Sequence, residues 1–485
     1  MAALTSADVD AQRLACAVFL PSVPALAGAR TFFTGVEQLL PGARIELPAD
    51  GSPLRTTPRW RPDQTTEGPP HQRLRAALTA AVSLRADTDP GLSCDLSGGL
   101  DSTSVTVLAA TTLPPGHAVN AVTVHPVGDE SGADLRYARL AAAAHSAGIT
   151  HHLMPLTAEH LPYSAITDVP ATDEPAPSTL TRARLTGQFR WMTATFGTTT
   201  HLTGDGGDSV LFQPPIHLAD LVRSRRPCRL LSEALGWARL RHRPAAPILR
   251  DAQAAARTSR RQALTDLAHT VGTVGGRNDH GAVRWFSLLP FPAWADPSGR
   301  HLLAAAATTA ALTPDAHAHV DASVRTLVDE IREVARTAAA DSVMAAAQGI
   351  TLHNPFLDPT VVDAVLRTPL DDRPPVHAYK PMLGRALADV LPPAIAARTT
   401  KGSFDADHYA GMRANLPTLL DLADGHLASL GLLDPTRFRT ALRRAAAGIP
   451  GPLATIEQAL AAEAWLTAHR RDPVPAWEQQ GVGTA

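Results

Sequence analysis

An α/β fold built on a parallel sheet is what this sequence predicts, and three stretches predict it. Residues 92–97 form a short apolar run that breaks at Gly98-Gly99 and resumes at helical spacing through Leu100 to Ala110. That is the pattern of a strand, a tight turn and a helix start. Residues 119–124 alternate apolar positions and lead into an Ala-rich helical pattern over 131–147. Residues 200–203 again end in glycines, Gly204-Asp205-Gly206-Gly207-Asp208. Strands and helices that alternate in this way pack as parallel strands with right-handed crossovers, and ligands of such sheets sit beyond the carboxyl ends of the strands.

Composition narrows the function classes. With 485 residues the chain has room for two or three domains. A formal net charge of −2 gives no electrostatic case for nucleic acid as a partner. The three cysteines, Cys16, Cys94 and Cys228, are too widely spaced for a CxxC pair, so neither a disulfide framework nor a structural zinc site is expected. No basic segment with an apolar core opens the chain and no run long enough to span a bilayer occurs, so a cytoplasmic location is expected. Of 44 basic residues only two are lysine, Lys380 and Lys401. Lysines retained in so Arg-rich a chain suggest positions that need a compact ammonium rather than a planar guanidinium.

In chain order, residues 1–68 carry short strand-like pieces at 31–36, 40–47 and 59–62, punctuated by Pro and Gly, and read as a small β-rich region. A linker at 63–70 and an amphipathic helix at 71–84 lead into the first glycine turn, and 69–485 reads as one large unit. A helix is expected at 180–196. From 215 to 350 the pattern is helical, and Val324, Leu327, Val328, Ile331, Val334 and Ala338 mark a buried face by their spacing. Asp315, His317, His319 and Asp321, at alternating positions before that helix, read as a solvated cap rather than a metal site. Further helices follow to about 470.

The chemistry concentrates in the glycine turns. At residues 97–102, Gly98 and Gly99 let the backbone turn sharply, Ser97 and Ser102 offer hydroxyls, and the helix start favours an anion. Asp101 beside a phosphate is tolerable when a divalent cation lies between them, so it reads as a metal ligand. Asp208, at the tip of the second turn, is its natural partner in holding Mg2+ and pyrophosphate.

The segment LSGGLDS at 96–102 resembles the pyrophosphatase loop of the asparagine synthetase superfamily, whose members split ATP into AMP and pyrophosphate and form an acyl-adenylate. Residues 204–208 resemble its second motif, although 209–214 lack the usual downstream Glu and Gly-Tyr. Residues 352–358 (LHNPFLD) resemble its R-x-P-F-L-D segment. Residues 379–385 resemble its K-x-x-L-R helix start and 398–404 its R-x-x-K-x-x-F loop, which places both lysines on motif positions. The resemblance spans roughly 30–470 and implies an ATP-pyrophosphatase domain with a large helical part, preceded by a truncated, β-rich remnant of a glutaminase domain. The superfamily's glutaminase works through an N-terminal cysteine. Met1-Ala2-Ala3 offers none, so glutamine-derived ammonia is not expected, unless an upstream segment precedes this start.

By the same resemblance Leu96 and Val124 border the adenosine, Ser97, Gly98, Gly99, Ser102, Thr203 and Gly204 join the nucleotide site, Asp101 and Asp208 bind Mg2+, and Lys380, Lys401 and Asp205 are catalytic. The pattern D-x-x-x-A-x-x-x-G ahead of LHNPFLD, the segment YKPML, and the late LGLLDP and EAWL look most like lasso-peptide macrolactam synthetases. Those enzymes adenylate an Asp or Glu side chain of a ribosomal precursor peptide and close a ring with its N-terminal amine. Such a reading implies ATP and Mg2+ as cofactors and the precursor peptide as substrate, with a leader peptidase and a leader-recognition protein as conceivable further partners. The alternatives are a β-lactam-synthetase-like or asparagine-synthetase-like enzyme on a small molecule, the former using tyrosine where this chain has Asp205, and an inactive peptide-binding scaffold.

Overall fold

The computed structural model describes residues 7–64, 67–86, 91–127, 131–272, 281–288, 291–399, 402, 405–451 and 453–471. Helix α1 (Ala11–Phe19) opens the described chain, capped by the Asp10 carboxylate, which accepts from the Gln12 and Arg13 amides. Strands β1 (Ala43–Glu46) and β2 (Arg55–Pro58) pair as an antiparallel hairpin. Helix α2 (Pro70–Ala86) precedes β3 (Leu92–Asp95), α3 (Leu100–Thr112), β4 (Val119–Pro126), α4 (Ala133–Ala144), β5 (Ile149–Leu156), α5 (Arg182–Phe196) and β6 (Thr200–Leu202). Among the helices that follow are α6 (Pro227–Leu240), α7 (Pro297–Leu312) and α8 (Ala322–Ala346), then β7 (Thr351–His353) and finally α9 (Leu453–Arg471).

The five later strands form one parallel sheet in the order β5-β4-β3-β6-β7. The α/β class and its parallel sheet are as the sequence predicts. Beyond β3 the chain lays β4 and β5 to one side, then returns to place β6 and β7 on the other. Cys94 therefore pairs with Ala121 on one flank and with Leu202 on the other. That reversal of winding opens a crevice at the carboxyl ends of β3 and β6, the usual ligand position in such sheets. Both glycine turns lie there.

Strand β5 was not anticipated, because its His151-His152 pair interrupts any apolar alternation. Its polar side chains find partners on β4: His151 Nε2 lies 2.8 Å from the Thr123 hydroxyl and His152 Nε2 3.0 Å from Asn120 Oδ1. The buried Ser93 is likewise satisfied, its hydroxyl lying 2.7 Å from His201 Nδ1.

One core lies against the sheet and gathers Leu74, Leu78 and Val82 of α2 with Val105 and Leu108 of α3, Leu202 and Phe356. Another is built by α1, α7 and α9, with Leu14, Phe19, Leu303 and the fully buried Trp465. Truncating a leucine in either would cost about 2–5 kcal/mol. In the N-terminal region the regular strands among the described residues are β1 and β2, and α1 packs into the second core. Of the expected face of α8, Val324, Leu327, Val328, Ile331 and Ala338 are buried, while Val334 is half-buried. No helix of the described residues is long and apolar enough to cross a membrane.

Candidate active site

The first turn is shaped by what surrounds Gly98. Its φ is +73°, and a Cβ there would fall 2.2 Å from the Asp134 carbonyl oxygen, so only glycine lets α4 approach. Ser102 reaches back over the turn: its hydroxyl accepts from the Ser97 amide at 3.1 Å and lies 2.7 Å from the Ser97 hydroxyl. The Gly99 amide donates to Ser97 Oγ at 3.3 Å. Gly99 caps α3, so the leading amides of that helix have no intrahelical partner and carry its positive end.

Arg398 fixes the turn from beneath. It is buried, donates from one terminal nitrogen to the Gly98 carbonyl at 2.7 Å, pairs through the other with Asp134, and stacks 4.4 Å from the Tyr137 ring. Arg398 opens the R-x-x-K-x-x-F segment, a position that does not by itself mark this task.

The second turn docks onto the first because it lacks side chains. A Cβ at Gly204 would lie 2.4 Å from the Ser102 amide nitrogen, and one at Gly207 would lie 2.6 Å from Asp101 Cγ. Thr203 anchors the turn to β7: its amide donates to the His353 carbonyl at 3.0 Å and its hydroxyl to Asn354 Oδ1 at 2.6 Å, while accepting from the Asp205 amide at 3.0 Å.

Between the two turns sits Lys380. Its side chain is 4% exposed, and its ammonium contacts the Asp101 carboxylate and, at 2.5 Å, the Asp208 carboxylate. Burial by itself would lower its pKa, but the two carboxylates outweigh that and hold it above the ordinary lysine value. The ammonium thus lies where two carboxylates converge, the position expected for Mg2+. These donors suit that ion: hard oxygens on opposite turns, with Asp208 58% exposed and open toward a ligand. Among the described residues no group of three or more His, Cys, Asp or Glu side chains is placed to hold a metal ion.

Of the residues expected at the nucleotide, Ser97, Gly98, Gly99, Asp101, Ser102, Thr203, Gly204, Asp205 and Asp208 come together on the two turns. Val124 is half-buried on β4 near the same edge, whereas the Leu96 side chain is fully buried in the core and only its backbone lines the turn, with its amide donating to Val122 and its carbonyl accepting from Thr123. Lys401 lies outside the described residues.

Two residues with no assigned role lie in the field of Asp205. Asp341, on α8, accepts from the Ser178 hydroxyl and feels the charge of Asp205. Burial, reinforced by Asp205 and opposed by Ser178, pushes its carboxyl up to about 7. Asp341 stands in the D-x-x-x-A-x-x-x-G pattern, so a signal existed. Arg184, on α5, lies in the field of Asp95, Asp407 and Asp205 and lines a cavity of about 400 Å³ with Pro126, Val127, Leu156 and His160. No local pattern marked it.

A comparison with protein families matches the one described as Asparagine synthase over residues 73–467, from α2 into α9. No curated protein matches the chain.

Proposed function

From the premise that this chain belongs to the asparagine synthase family, whose members are ATP-dependent ligases forming amide bonds, typically with AMP and pyrophosphate as products, we propose that it is a macrolactam synthetase. On this reading it adenylates an Asp or Glu side chain of a precursor peptide and closes a ring with the peptide's N-terminal amine. The observation that carries the ATP chemistry is the convergence of Asp101, Asp208 and Lys380 between two glycine turns at the switch point of the sheet. The peptide substrate is supported by the D-x-x-x-A-x-x-x-G, LHNPFLD and YKPML segments.

The residues divide the work by their chemistry. The amides of the first turn and the start of α3 receive phosphate oxygens. Asp101 and Asp208 would hold Mg2+, which supplies neutralising charge on the pyrophosphate when bound. Lys380 adds a compact cation at the same point, and charge fixed in advance where anionic oxygens gather costs no reorganisation during reaction. Lys401 is assigned by its motif to the later step, in which AMP leaves the acyl carbon. To Asp341 this reading gives the proton of the attacking amine, since burial raises its carboxyl to about 7 and a base works best with a pKa near the working pH.

The test is incubation of the purified chain with MgATP and a peptide whose N-terminal amine and internal Asp or Glu are both free. Loss of one water from the peptide, with AMP and pyrophosphate in equal amounts, is the expected result. Pyrophosphate release only with a small amino acid or β-amino acid would move the reading to the small-molecule branch, and no turnover with any acyl acceptor would move it to a scaffold.

A further inference from the structure

Lys380 ends a loop, residues 370–380, that α6 grips from outside the site. Arg229 donates to the Leu370 carbonyl and to the Arg373 carbonyl, each at 2.6 Å. Glu233, 3% exposed and four residues on, accepts from Arg229 Nε at 2.7 Å and from the Val376 amide at 3.2 Å, with His217 Nε2 3.6 Å away. One turn further, the His377 ring rests on Gly236 so closely that a Cβ there would fall 2.5 Å from it. One face of α6 therefore fixes the loop at 370, 373, 376 and 377. The loop is anchored again at its base, where buried Arg373 donates to the Thr368 carbonyl at 3.0 Å and pairs with Asp321 at 2.8 Å.

These contacts end three residues before Lys380, whose φ of +44° is left-handed. A non-glycine residue stays in that region only when its surroundings over-determine it. The next residue, Pro381, starts a short helix to Ala386, whose Met382 and Leu383 are buried in the core. The backbone of Lys380 is thus held between the loop clasped by α6 and a helix seated in the core.

We propose that Arg229, Glu233 and Gly236 are positioning residues, which set the Lys380 ammonium between Asp101 and Asp208 through the 370–377 loop. Nothing on α6 touches the reacting groups. Its effect passes through the loop backbone, because a loop fixed at four points cannot shift its end without breaking one of them. The inference rests on reading Lys380 as a pyrophosphate-facing cation.

The experiment measures binding of inorganic pyrophosphate with Mg2+ by calorimetry, with the melting temperature recorded for each variant. Lys380→Met is the reference and is expected to weaken binding. Gly236→Ala is expected to weaken it about tenfold, on the scale of one misplaced charge-assisted hydrogen bond. Gly236→Ala with His377→Ala should recover most of the affinity, since the ring that the methyl displaces is gone. Glu233→Gln, equal in volume but without the charge that holds Arg229, should weaken binding several-fold. If Lys380→Met weakens binding while Gly236→Ala and Glu233→Gln bind as the parent does, the positioning proposal is overturned and the Lys380 reading stands. If the double variant remains as weak as Gly236→Ala, the route through His377 is overturned. If Lys380→Met itself binds pyrophosphate normally, the assignment of Lys380 fails instead.

Discussion

Gly207 lies against the carboxyl group of Asp101: a Cβ at position 207 would fall 2.6 Å from Asp101 Cγ. The two residues come from different strand ends, and their contact brings the two glycine turns into one site. Gly207 does not have a positive φ, so alanine suits its backbone, and the nearest obstacle to its methyl is the Asp101 side chain. Gly207→Ala should therefore lower pyrophosphate release by about 10-fold or more, as expected when a positioned charge is displaced. The cost in stability should stay near 1 kcal/mol, the centre of ordinary substitutions. Parallel thermal melts and pyrophosphate assays check this, and equal losses in both would show that the contact is merely structural.

Lys380 bridges two carboxylates, so removing it leaves like charges facing each other. Lys380→Met should cost about 1–3 kcal/mol, the modest end for a broken buried pair because Asp208 is largely exposed. Since the folded-state pKa is raised above the ordinary 10.5, the ammonium's contribution is complete below that pH and is lost only as the pH climbs through the higher folded value. The parent should thus lose stability at strongly alkaline pH to a degree that Lys380→Met does not, as denaturant melts from pH 8 upward would show.

Asp341 titrates in the opposite sense. Its carboxyl is raised from 3.8 to about 7, so across that interval the folded protein keeps a proton that the unfolded chain has released. Asp341's contribution to stability is then complete below about pH 3.8 and declines as the pH rises to about 7. Asp341→Asn removes the decline and should melt higher than the parent at pH 8 but not at pH 4. If Asp341 is the base, the parent's rate rises through about pH 7, and the asparagine variant lacks that limb. A retained limb in the variant would assign the proton to another group.

Arg398 uses a fork and a flat face, which lysine lacks. Arg398→Lys gives up the simultaneous hold on Gly98 and Asp134 and the stacking on Tyr137. The first turn should loosen, raising the KM for ATP by about 10-fold, the size of one lost charge-assisted hydrogen bond. Steady-state kinetics in ATP measures it, and an unchanged KM would mean that the turn holds its shape without the clasp.

The sequence by itself determined the local pieces: strand, glycine turn and helix at 92–110, the second carboxylate-bearing turn at 204–208, the amphipathic face of α8, and two lysines among 44 basic residues. These are legible because periodicity, glycine and charge act over a few neighbouring residues. Tertiary structure alone decided that β6 lies beside β3, that Lys380 reaches Asp101 from 279 residues away, and that Asp341 and Arg184 both feel the charge of Asp205. It also drew α1 into the core of the C-terminal helices. Contacts between distant segments leave no mark on local patterning. They depend on which buried faces find each other, and so does the raised carboxyl of Asp341, which comes chiefly from the burial that packing imposes.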